Sequence, residues 1–269
     1  MREELLLTVM EYYAQRGRHD LPWRLPEIGG SFDPYKILVS ELMLQQTQVP
    51  RVIPKYEAFL RQFPTIESLA GSSLGEVLVA WQGLGYNRRA KFLWQAAQQT
   101  VKDFDATLPD DQASLESLPG VGVNTAGAIR AYAFNQPAVF IETNVRTVYI
   151  HHFFKGQTEV PDAAIRKLLE ETMDRDNPRV FCWALMDYGS YLKQAIGNAA
   201  KASKTYTKQS KFSGSARQLR GKILRLLAGG ALAEAHLLVA LDDERAEVVV
   251  QGLVAEGLVQ KQAGCYRLP

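Results

Sequence analysis

The strongest constraint on this chain lies in residues 115–148, where a glycine-rich turn precedes one helical segment and an acidic residue precedes the next. The turn, LPGVG at 118–122, is too short for a pair of strands. Glycine adopts positive φ at little cost and lets another backbone approach closely. Because helix-forming residues follow, the amides of Gly120, Gly122 and Asn124 should project from a helix N-terminus, which suits a phosphate. A turn that only reverses the chain is the alternative.

Length and composition indicate a globular protein. The chain has 269 residues, of which 46% are hydrophobic, enough for a substantial core in one large or two smaller domains. No apolar run approaches the roughly 18 residues of a membrane-spanning helix, and the acidic, amphipathic start differs from a secretory signal. Cys182 and Cys265 suggest no disulfide framework. We therefore expect a cytoplasmic protein with no membrane partner, associated with the nucleoid if the source is prokaryotic.

The net charge of +2 hides an uneven distribution. Between residues 193 and 225 the sequence has nine Lys or Arg residues and no Asp or Glu. Such a segment favours a polyanionic partner, with Lys201, Lys204 and Lys208 as candidate phosphate contacts. The composition of residues 193–213 is also typical of a solvated linker, and the two interpretations are compatible.

Apolar periodicity and capping signals predict an almost wholly α-helical region up to residue 191. The predicted helices are 2–16, one that begins at Pro34 after its cap Asp33, 50–63, short helices within 66–81, 86–104, 109–118, one that follows the turn, one from Glu142 to about Phe154, 162–173 and 178–191. Farther on, the sequence predicts helices 215–227, 231–241 and 244–256 and two short strands within 257–268. Three helices and a hairpin look like a winged helix. Its acid-rich third helix argues against reading of the major groove, so docking to protein is the alternative.

Several ordered motifs resemble one family. They are LPWR at 21–24, SELMLQQTQV at 40–49, WQGLGY at 81–86, the turn at 118–122 and ALMDYG at 184–189. Together they resemble the helix-hairpin-helix (HhH-GPD) DNA glycosylases, and most closely the MutY-type adenine glycosylases, over about two thirds of the chain. The resemblance implies a mainly α, two-lobed helix-hairpin-helix glycosylase fold with a C-terminal winged-helix-like domain. The implied divisions are a glycosylase domain at 1–192, a basic linker at 193–213 and the winged-helix-like domain at 214–269. Within the glycosylase domain, the DNA cleft is expected between the lobe 30–136 and the lobe formed by 1–29 plus 137–192.

The resemblance implies a monofunctional DNA N-glycosylase of base excision repair, which flips out a damaged or mispaired base and hydrolyses its bond to the sugar, with adenine favoured. Protonating a purine ring helps the base to leave, and its departure leaves positive charge on the sugar. This chemistry needs two carboxyl groups in different environments. By resemblance Glu41 lies at the position of the proton donor, Glu142 at that of the essential aspartate, and Asn144 belongs to the same catalytic set.

Glu142 departs from the family pattern, because glutamate is one methylene longer than the family's aspartate. About 1 Å of misplacement can cost about a hundredfold in rate. Three interpretations stay open: a pocket rebuilt around the longer side chain, a weak or redirected activity, or a domain that binds lesions without cutting them. The retained Glu41, Gln45, Gln46 and Asn144 favour the first two.

Two further departures concern strand cleavage and metal. Relatives that also cleave the strand have a lysine at the position of Asn124, which forms a Schiff base with the sugar, and asparagine cannot do so. A lyase that uses another lysine is the alternative. Most MutY-like relatives hold an iron–sulfur cluster with four cysteines after the ALMDYG-like segment, and no cysteine occurs between Cys182 and Cys265. We expect no cluster and no other metal cofactor, apart from a structural monovalent cation at the hairpin.

The expected partner is double-stranded DNA with a lesion or mismatch, bound by a monomer. Gln45 and Gln46 are expected to enter the duplex near the flipped nucleotide, where flat amides can hydrogen-bond base edges. The other expected DNA contacts are Tyr86, Arg88, Gly120, Gly122, Val123, Asn124, Thr125, Lys201, Lys204 and Lys208. A mismatch thymine or uracil glycosylase and a non-catalytic DNA-binding protein are the alternatives that the sequence leaves open.

Overall fold

The computed structural model describes residues 2–208 and 211–269, which form a mainly α-helical structure, as the sequence predicts. The helices are α1 (Arg2–Arg16), α2 (Pro34–Leu44), α3 (Val49–Gln62), α4 (Ile66–Ala70), α5 (Leu74–Ala80), α6 (Arg88–Asp103), α7 (Gln112–Glu116), α8 (Val123–Tyr132), α9 (Thr143–Phe153), α10 (Asp162–Thr172), α11 (Pro178–Ala195), α12 (Ala216–Leu227), α13 (Glu234–Leu241) and α14 (Ala246–Ala255). The strands are β1 (Leu232–Ala233), β2 (Gln260–Gln262) and β3 (Cys265–Arg267). Within the described residues, every helix is too short or too polar to cross a bilayer.

Short polar side chains determine where several helices begin. The Asp33 carboxylate accepts a hydrogen bond from the Tyr35 amide at 2.9 Å, at the start of α2. Reciprocal capping boxes begin α4 and α5, with Thr65 and Ser73 as the capping residues. Each cap satisfies amides that a helix N-terminus otherwise leaves without partners, and it contributes about 1 kcal/mol to stability. These starts therefore follow from local sequence.

The chain divides into two compact units that interleave along the sequence. Unit 1 contains the described residues of Met1–Glu41, Pro109–Ser117 and Val121–Lys208. Unit 2 contains the described residues of Leu42–Leu108, Leu118–Gly120 and Gln209–Pro269. The domain boundaries that the sequence predicts at residues 192 and 213 stay a prediction.

Helix α11 is central to unit 1, because it packs against α1, α8 and α9. Its close approach to α9 depends on Gly189, where a Cβ atom would lie 2.4 Å from the Asn144 carbonyl oxygen. One turn of α11 also carries Asp187, whose carboxylate accepts hydrogen bonds from the Arg24 guanidinium at 2.8 and 3.0 Å and from the Arg18 amide at 2.7 Å. Burial opposes ionisation of Asp187, but these bonds from Arg24 and Arg18 lower its pKa below the usual range.

Part of the basic segment is docked on unit 1. Ala200 is completely buried, and the Val160 amide donates to the Ala202 carbonyl at 2.9 Å. The Lys204 amide returns a hydrogen bond to the Val160 carbonyl at 3.0 Å. The interpretation of this stretch as a solvated linker therefore does not hold for residues 199–204, although the predicted segment 193–213 also includes Gln209 and Ser210, which lie outside the described residues.

Helices α12–α14 and the strands form a C-terminal module, residues 211–269, within unit 2. The strands pair antiparallel in the order β1-β3-β2. The module packs on the helices of Leu42–Leu108: the Gly75 amide donates to the Pro269 carbonyl at 2.9 Å, and the Lys91 amine donates to the Glu256 carbonyl at 2.5 Å. The sequence predicts the β2–β3 hairpin but misses β1. The winged-helix-like assignment stays a prediction.

Replacing Asp187 by Asn should destabilise the protein by about 3–5 kcal/mol, because it leaves the Arg24 guanidinium buried without a carboxylate. Chemical denaturation of the parent and of D187N at pH 7 measures the difference, with the exposed Asp176→Asn as the control. The folded pKa of Asp187 is below the unfolded value of about 3.9, so its stabilisation is present above that value and is lost as pH falls through the folded pKa. Equal stability of parent and D187N at pH 7 would contradict this account.

Candidate active site

Glu41 lies in the last turns of α2, between the buried Ser40 and Leu42. Its side chain keeps partial access to solvent, yet it is set deeply enough that desolvation raises its pKa well above the usual range. The Glu142 carboxylate raises this pKa further, and Arg24 opposes the rise only in part. Glu41 therefore stays protonated at a pH where an ordinary glutamate is ionised.

Glu142 precedes α9 as its N-cap residue, with extended backbone, and its carboxylate makes no capping hydrogen bond. Burial raises the pKa of Glu142, and Arg146, one turn into the helix, opposes this rise. Arg146 is itself held by Asp162, with 2.6 Å between the closest charged atoms. Arg146 therefore favours the ionised form of Glu142, and the charge of Glu142 in turn favours the protonated form of Glu41.

The two carboxyl groups share an aromatic neighbour, Tyr132. Burial is the main cause of the raised pKa of its hydroxyl, and the charges of Glu41 and Glu142 add to it. The Tyr132 ring stacks on Trp183 with 5.8 Å between centroids and meets Phe140 edge-to-face at 5.8 Å. These rings exclude water and so strengthen the repulsion between the carboxylates. The sequence analysis missed Tyr132, since an aromatic residue in an apolar helix is usually part of the core.

Asn124 fixes the backbone that leads into Glu142. Its Nδ2 atom donates to the Ile141 carbonyl at 3.2 Å, and its Oδ1 atom accepts from the Ile141 amide at 3.1 Å. One side-chain amide thereby satisfies both backbone groups of the residue before Glu142. The sequence analysis considered Asn124 only for its inability to form a Schiff base and missed this contact.

Asn144 lies in the first turn of α9, half-buried, with its backbone against Gly189 of α11. Its Oδ1 atom accepts a hydrogen bond from the Lys193 amine at 3.5 Å, a long and therefore weak contact. The predicted catalytic role of Asn144 stays a prediction. The structure shows that Asn144 lies two residues after Glu142, at the start of α9.

The glycine-rich turn uses its two glycines differently. Gly120 has φ of 80°, and a Cβ atom there would lie 2.7 Å from the Cβ atom of Phe92. Gly122 has extended backbone and is the N-cap of α8, a helix without a side-chain cap. Val123, the first residue of α8, is 51% exposed. An exposed helix start without a cap suits the predicted phosphate contact of its amides.

Arg89, which the sequence analysis did not single out, organises the turn that contains Gln45 and Gln46. Its guanidinium is buried and donates to the carbonyls of Leu42, Met43 and Gln45 at 2.6, 3.0 and 2.6 Å. These carbonyls at the end of α2 stabilise the cation, because the C-terminus of a helix is its negative end. Burial lowers the pKa of Arg89 to about 10, which leaves it charged at neutral pH. The chain leaves the turn with Gln46 at a φ of 54°.

The residues present do not fit an iron–sulfur cluster of the family type. Such a cluster needs four thiolates, and the sequence has two cysteines. Cys182 is buried in α11, where burial raises the pKa of its thiol to about 12, and Cys265 lies in β3. No cluster of three or more His, Cys, Asp or Glu side chains suited to a metal ion occurs in residues 2–208 or 211–269.

The predicted site residues belong to both units. Unit 1 contains Glu41, Glu142, Asn144, Gly122, Val123, Asn124, Thr125 and the exposed Lys201, Lys204 and Lys208. Unit 2 contains Gln45, Gln46, Tyr86, Arg88 and Gly120. The structure brings the carboxyl groups of Glu41 and Glu142 into electrostatic contact. The predicted DNA contacts stay predictions.

Comparison with known proteins finds a matching family model and several similar proteins. The family model described as "HhH-GPD superfamily base excision DNA repair protein" matches residues 39–173. The adenine DNA glycosylase of Mycolicibacterium smegmatis is 32% identical over 279 residues, which cover 96% of this chain and 93% of that protein. The adenine DNA glycosylase of Buchnera aphidicola subsp. Baizongia pistaciae is 35% identical over 189 residues, which cover 69% of this chain and only 52% of that protein. A solved thermostable thymine-DNA glycosylase superposes with a TM-score of 0.64 at 25% identity, over 74% of this chain and 90% of that one.

Replacing Glu142 by Gln should lower the pKa of Glu41, because it removes the like charge that favours the protonated form. Burial should still hold this pKa above the usual glutamate value of about 4.3. Carboxyl carbon-13 NMR of glutamate-labelled protein follows both groups through a pH titration. Glu170→Gln, on the exposed face of α10, is the control that removes a distant charge. A Glu41 resonance that titrates near 4.3 in the parent would refute the desolvated site.

Proposed function

Since the chain belongs to the HhH-GPD superfamily of base excision DNA repair proteins, we propose that it is a DNA N-glycosylase and that the base it removes is adenine. The substrate is double-stranded DNA with a lesion or mismatch, and the protein acts as a monomer in the cytoplasm, at the nucleoid in a prokaryotic cell. The names of its relatives support adenine, because the relatives from Mycolicibacterium and Buchnera are both adenine DNA glycosylases.

The proposal depends on one observation, which is that two desolvated carboxyl groups have different charged neighbours. Burial and the charge of Glu142 keep Glu41 protonated, while Arg146 favours ionisation of Glu142. A pair of titratable groups whose environments separate their pKa values supplies an acid and a carboxylate in one site. Glycosidic bond cleavage at a purine needs both.

The chemistry assigns one step to each group. Glu41 gives its proton to a ring nitrogen of the flipped adenine, and the bond between the base and the sugar C1′ breaks with its electron pair left on the base. The Glu142 carboxylate stabilises the positive charge that develops on the sugar. It then accepts a proton from a water molecule as the water oxygen bonds to C1′. The products are free adenine and an abasic site.

Glu142 replaces the family's aspartate, and the local structure supports a site built around the longer side chain. Asn124 holds the Ile141 backbone by two hydrogen bonds, and Asn144 abuts Gly189 just beyond. The position of Glu142 is thus fixed on both sides along the chain. A fixed backbone with an intact acid partner favours an active enzyme over a domain that only binds DNA.

The proposal includes no strand cleavage and no cluster chemistry. Asn124 has no amine with which to attack the sugar, and its amide is engaged with the Ile141 backbone. The DNA backbone is bound by the amides at the start of α8 and by the exposed Lys201, Lys204 and Lys208. A monovalent cation bound at the hairpin would support the same contact with the DNA backbone.

A panel of duplexes tests which base the protein removes. Adenine opposite guanine or 8-oxoguanine should be excised, while thymine or uracil opposite guanine should not, because only the purine uses the proton of Glu41. The readout is strand scission by alkali after a single turnover. The structural likeness to a thymine-DNA glycosylase makes thymine the relevant competitor. Scission at mismatched thymine without scission at adenine would replace the adenine assignment by that alternative.

Replacing Glu142 by Gln should reduce single-turnover excision of adenine by about 10²–10³-fold, since it removes a charge that acts in the transition state. Duplex binding should survive, which a gel-shift titration measures. Glu142→Asp should also be slower in a site built for glutamate. The exposed Glu170→Gln should excise at the parent rate. A Glu142→Gln enzyme as fast as the parent would show that the carboxylate lies elsewhere.

Borohydride treatment of the enzyme with its duplex should yield no covalent adduct, because no lysine amine occupies the position of Asn124. Strand breaks should appear only after alkali or a separate lyase is added. Denaturing gels of labelled DNA record both results. A trapped adduct at substantial yield would identify a lyase that uses another amine.

A further inference from the structure

Asp162, the first residue of α10, forms an ion pair with Arg146 of α9 through two parallel hydrogen bonds. The Arg146 Nε atom donates to Oδ1 of Asp162 at 2.9 Å, and its Nη2 atom donates to Oδ2 at 2.6 Å. Two such bonds fix the direction of a planar guanidinium as well as its distance. They also lower the pKa of Asp162 below its usual range, so the pair is ionised at neutral pH.

Arg146 also lies one helical turn after Glu142. The Arg146 amide donates to the Glu142 carbonyl at 2.9 Å, within the first turn of α9. The charge of Arg146 acts on Glu142, because it opposes the rise in the pKa of that carboxyl group. Across residues 2–208 and 211–269, however, the ion pair of Arg146 is with Asp162, and the Glu142 carboxylate forms none. The cation therefore influences Glu142 while it is bound to another carboxylate.

This separation matters for the chemistry of the site. A carboxylate stabilises a developing sugar cation best while its own charge is not taken up by a direct ion pair. A guanidinium that was free to turn toward Glu142 would form such a pair through two hydrogen bonds. Its positive charge would also repel the cation on the sugar. The site therefore needs a group that keeps the Arg146 side chain directed elsewhere.

The basic segment after α11 helps to fix the position of Asp162. Val160, two residues earlier, is buried, and its amide donates to the Ala202 carbonyl at 2.9 Å. The Val160 carbonyl accepts from the Lys204 amide at 3.0 Å. The Thr205 hydroxyl reaches the Asp162 carboxylate at 3.3 Å, a longer contact. The segment thus supports the start of α10, from which Asp162 reaches Arg146.

We propose that Asp162 is a positioning residue of the active site, which holds the Arg146 guanidinium apart from the Glu142 carboxylate and leaves that carboxylate free for the sugar. The inference rests on the proposed function and deepens it, since it assigns Arg146 and Asp162 to the support of the same site. The basic segment then has a second role besides its predicted phosphate contacts, because it anchors the helix start that carries Asp162.

Three ionisable groups on other helices also lie around Glu142. Glu41 of α2 and Tyr132 of α8 interact with it electrostatically, and Lys193 of α11 donates to the neighbouring Asn144 at 3.5 Å. A substitution of Asp162 keeps all three groups. A changed titration of Glu142 in such a variant therefore reports on the guanidinium that Asp162 binds.

The test is the titration of Glu142 in full-length Asp162→Asn, followed by carboxyl carbon-13 NMR. The released Arg146 should pair with Glu142 and lower its titration midpoint by roughly one pH unit. Asp162→Glu keeps the charge and should bring the midpoint back toward the parent value. The matched control is Asp243→Asn, which removes a pair of similar geometry with Arg245 in the C-terminal module, at 2.9 and 2.7 Å. An unchanged or higher midpoint in D162N would overturn the proposal.

Single-turnover excision gives a second readout, measured at the pH optimum of each variant. D162N should excise adenine roughly tenfold more slowly at unchanged duplex affinity, since an ion pair then occupies the carboxylate that acts in the transition state. Replacing Arg146 by Gln as well should recover part of this rate, because no guanidinium remains to occupy Glu142. A double variant no faster than D162N would show that Asp162 only supports the fold, and would reject the positioning role.

Thermal unfolding separates these effects from loss of the fold. If D162N melts well below the parent, R146Q is compared with the double variant instead, because neither leaves a guanidinium without its partner. Glu142 should titrate alike in the two, and a difference would show that Asp162 acts without Arg146, which contradicts the proposal. A parent that releases no adenine, with the predicted shift of Glu142 in D162N, would retain the restraint on Arg146 and reject the enzyme.

Discussion

The desolvation of two neighbouring carboxyl groups, Glu41 and Glu142, is the constraint on which the proposed chemistry of unit 1 depends. Removing carboxylates from water costs free energy, and each group raises the cost of ionising the other. The pair avoids this cost because Glu41 keeps its proton, and the surrounding structure must hold the two groups close together. The rigid elements of unit 1 meet this demand. Asp187 links the segment of Arg18 and Arg24 to α11, and Gly189 brings α11 against the start of α9.

By resemblance Glu142 lies where the family has an aspartate, and we propose that the site uses the longer side chain. The longer side chain changes the reach of the carboxylate, and that change is harmful only if the backbone stays where an aspartate needs it. Asn124 holds the backbone of Ile141, the residue before Glu142, by two hydrogen bonds. The position of the backbone that leads into Glu142 is therefore fixed. Arg146 then favours the ionised form of Glu142.

Local features of the sequence predict much of this structure. The cap Asp33 and the prolines at helix starts place helices within a few residues, since caps act over one turn. Contacts between segments that are distant in the sequence cannot be predicted from such local features. Strand β1 was expected to be helix, because its two residues become a strand only through pairing with β3. Nothing in the local sequence distinguishes Arg89 from its neighbour Arg88, yet Arg89 binds carbonyls more than forty residues away. Such long-range contacts depend on the assembled core.

The most direct measurement is the pH profile of single-turnover adenine excision, for the parent and for Glu41→Gln. With Glu41 as a desolvated acid, the parent rate should fall as pH rises through the raised pKa of Glu41, at a midpoint above the usual glutamate value of about 4.3. E41Q should be slow and should lose this alkaline decline. A parent profile without an alkaline decline, or an unchanged decline in E41Q, would contradict the account of Glu41 as the proton donor.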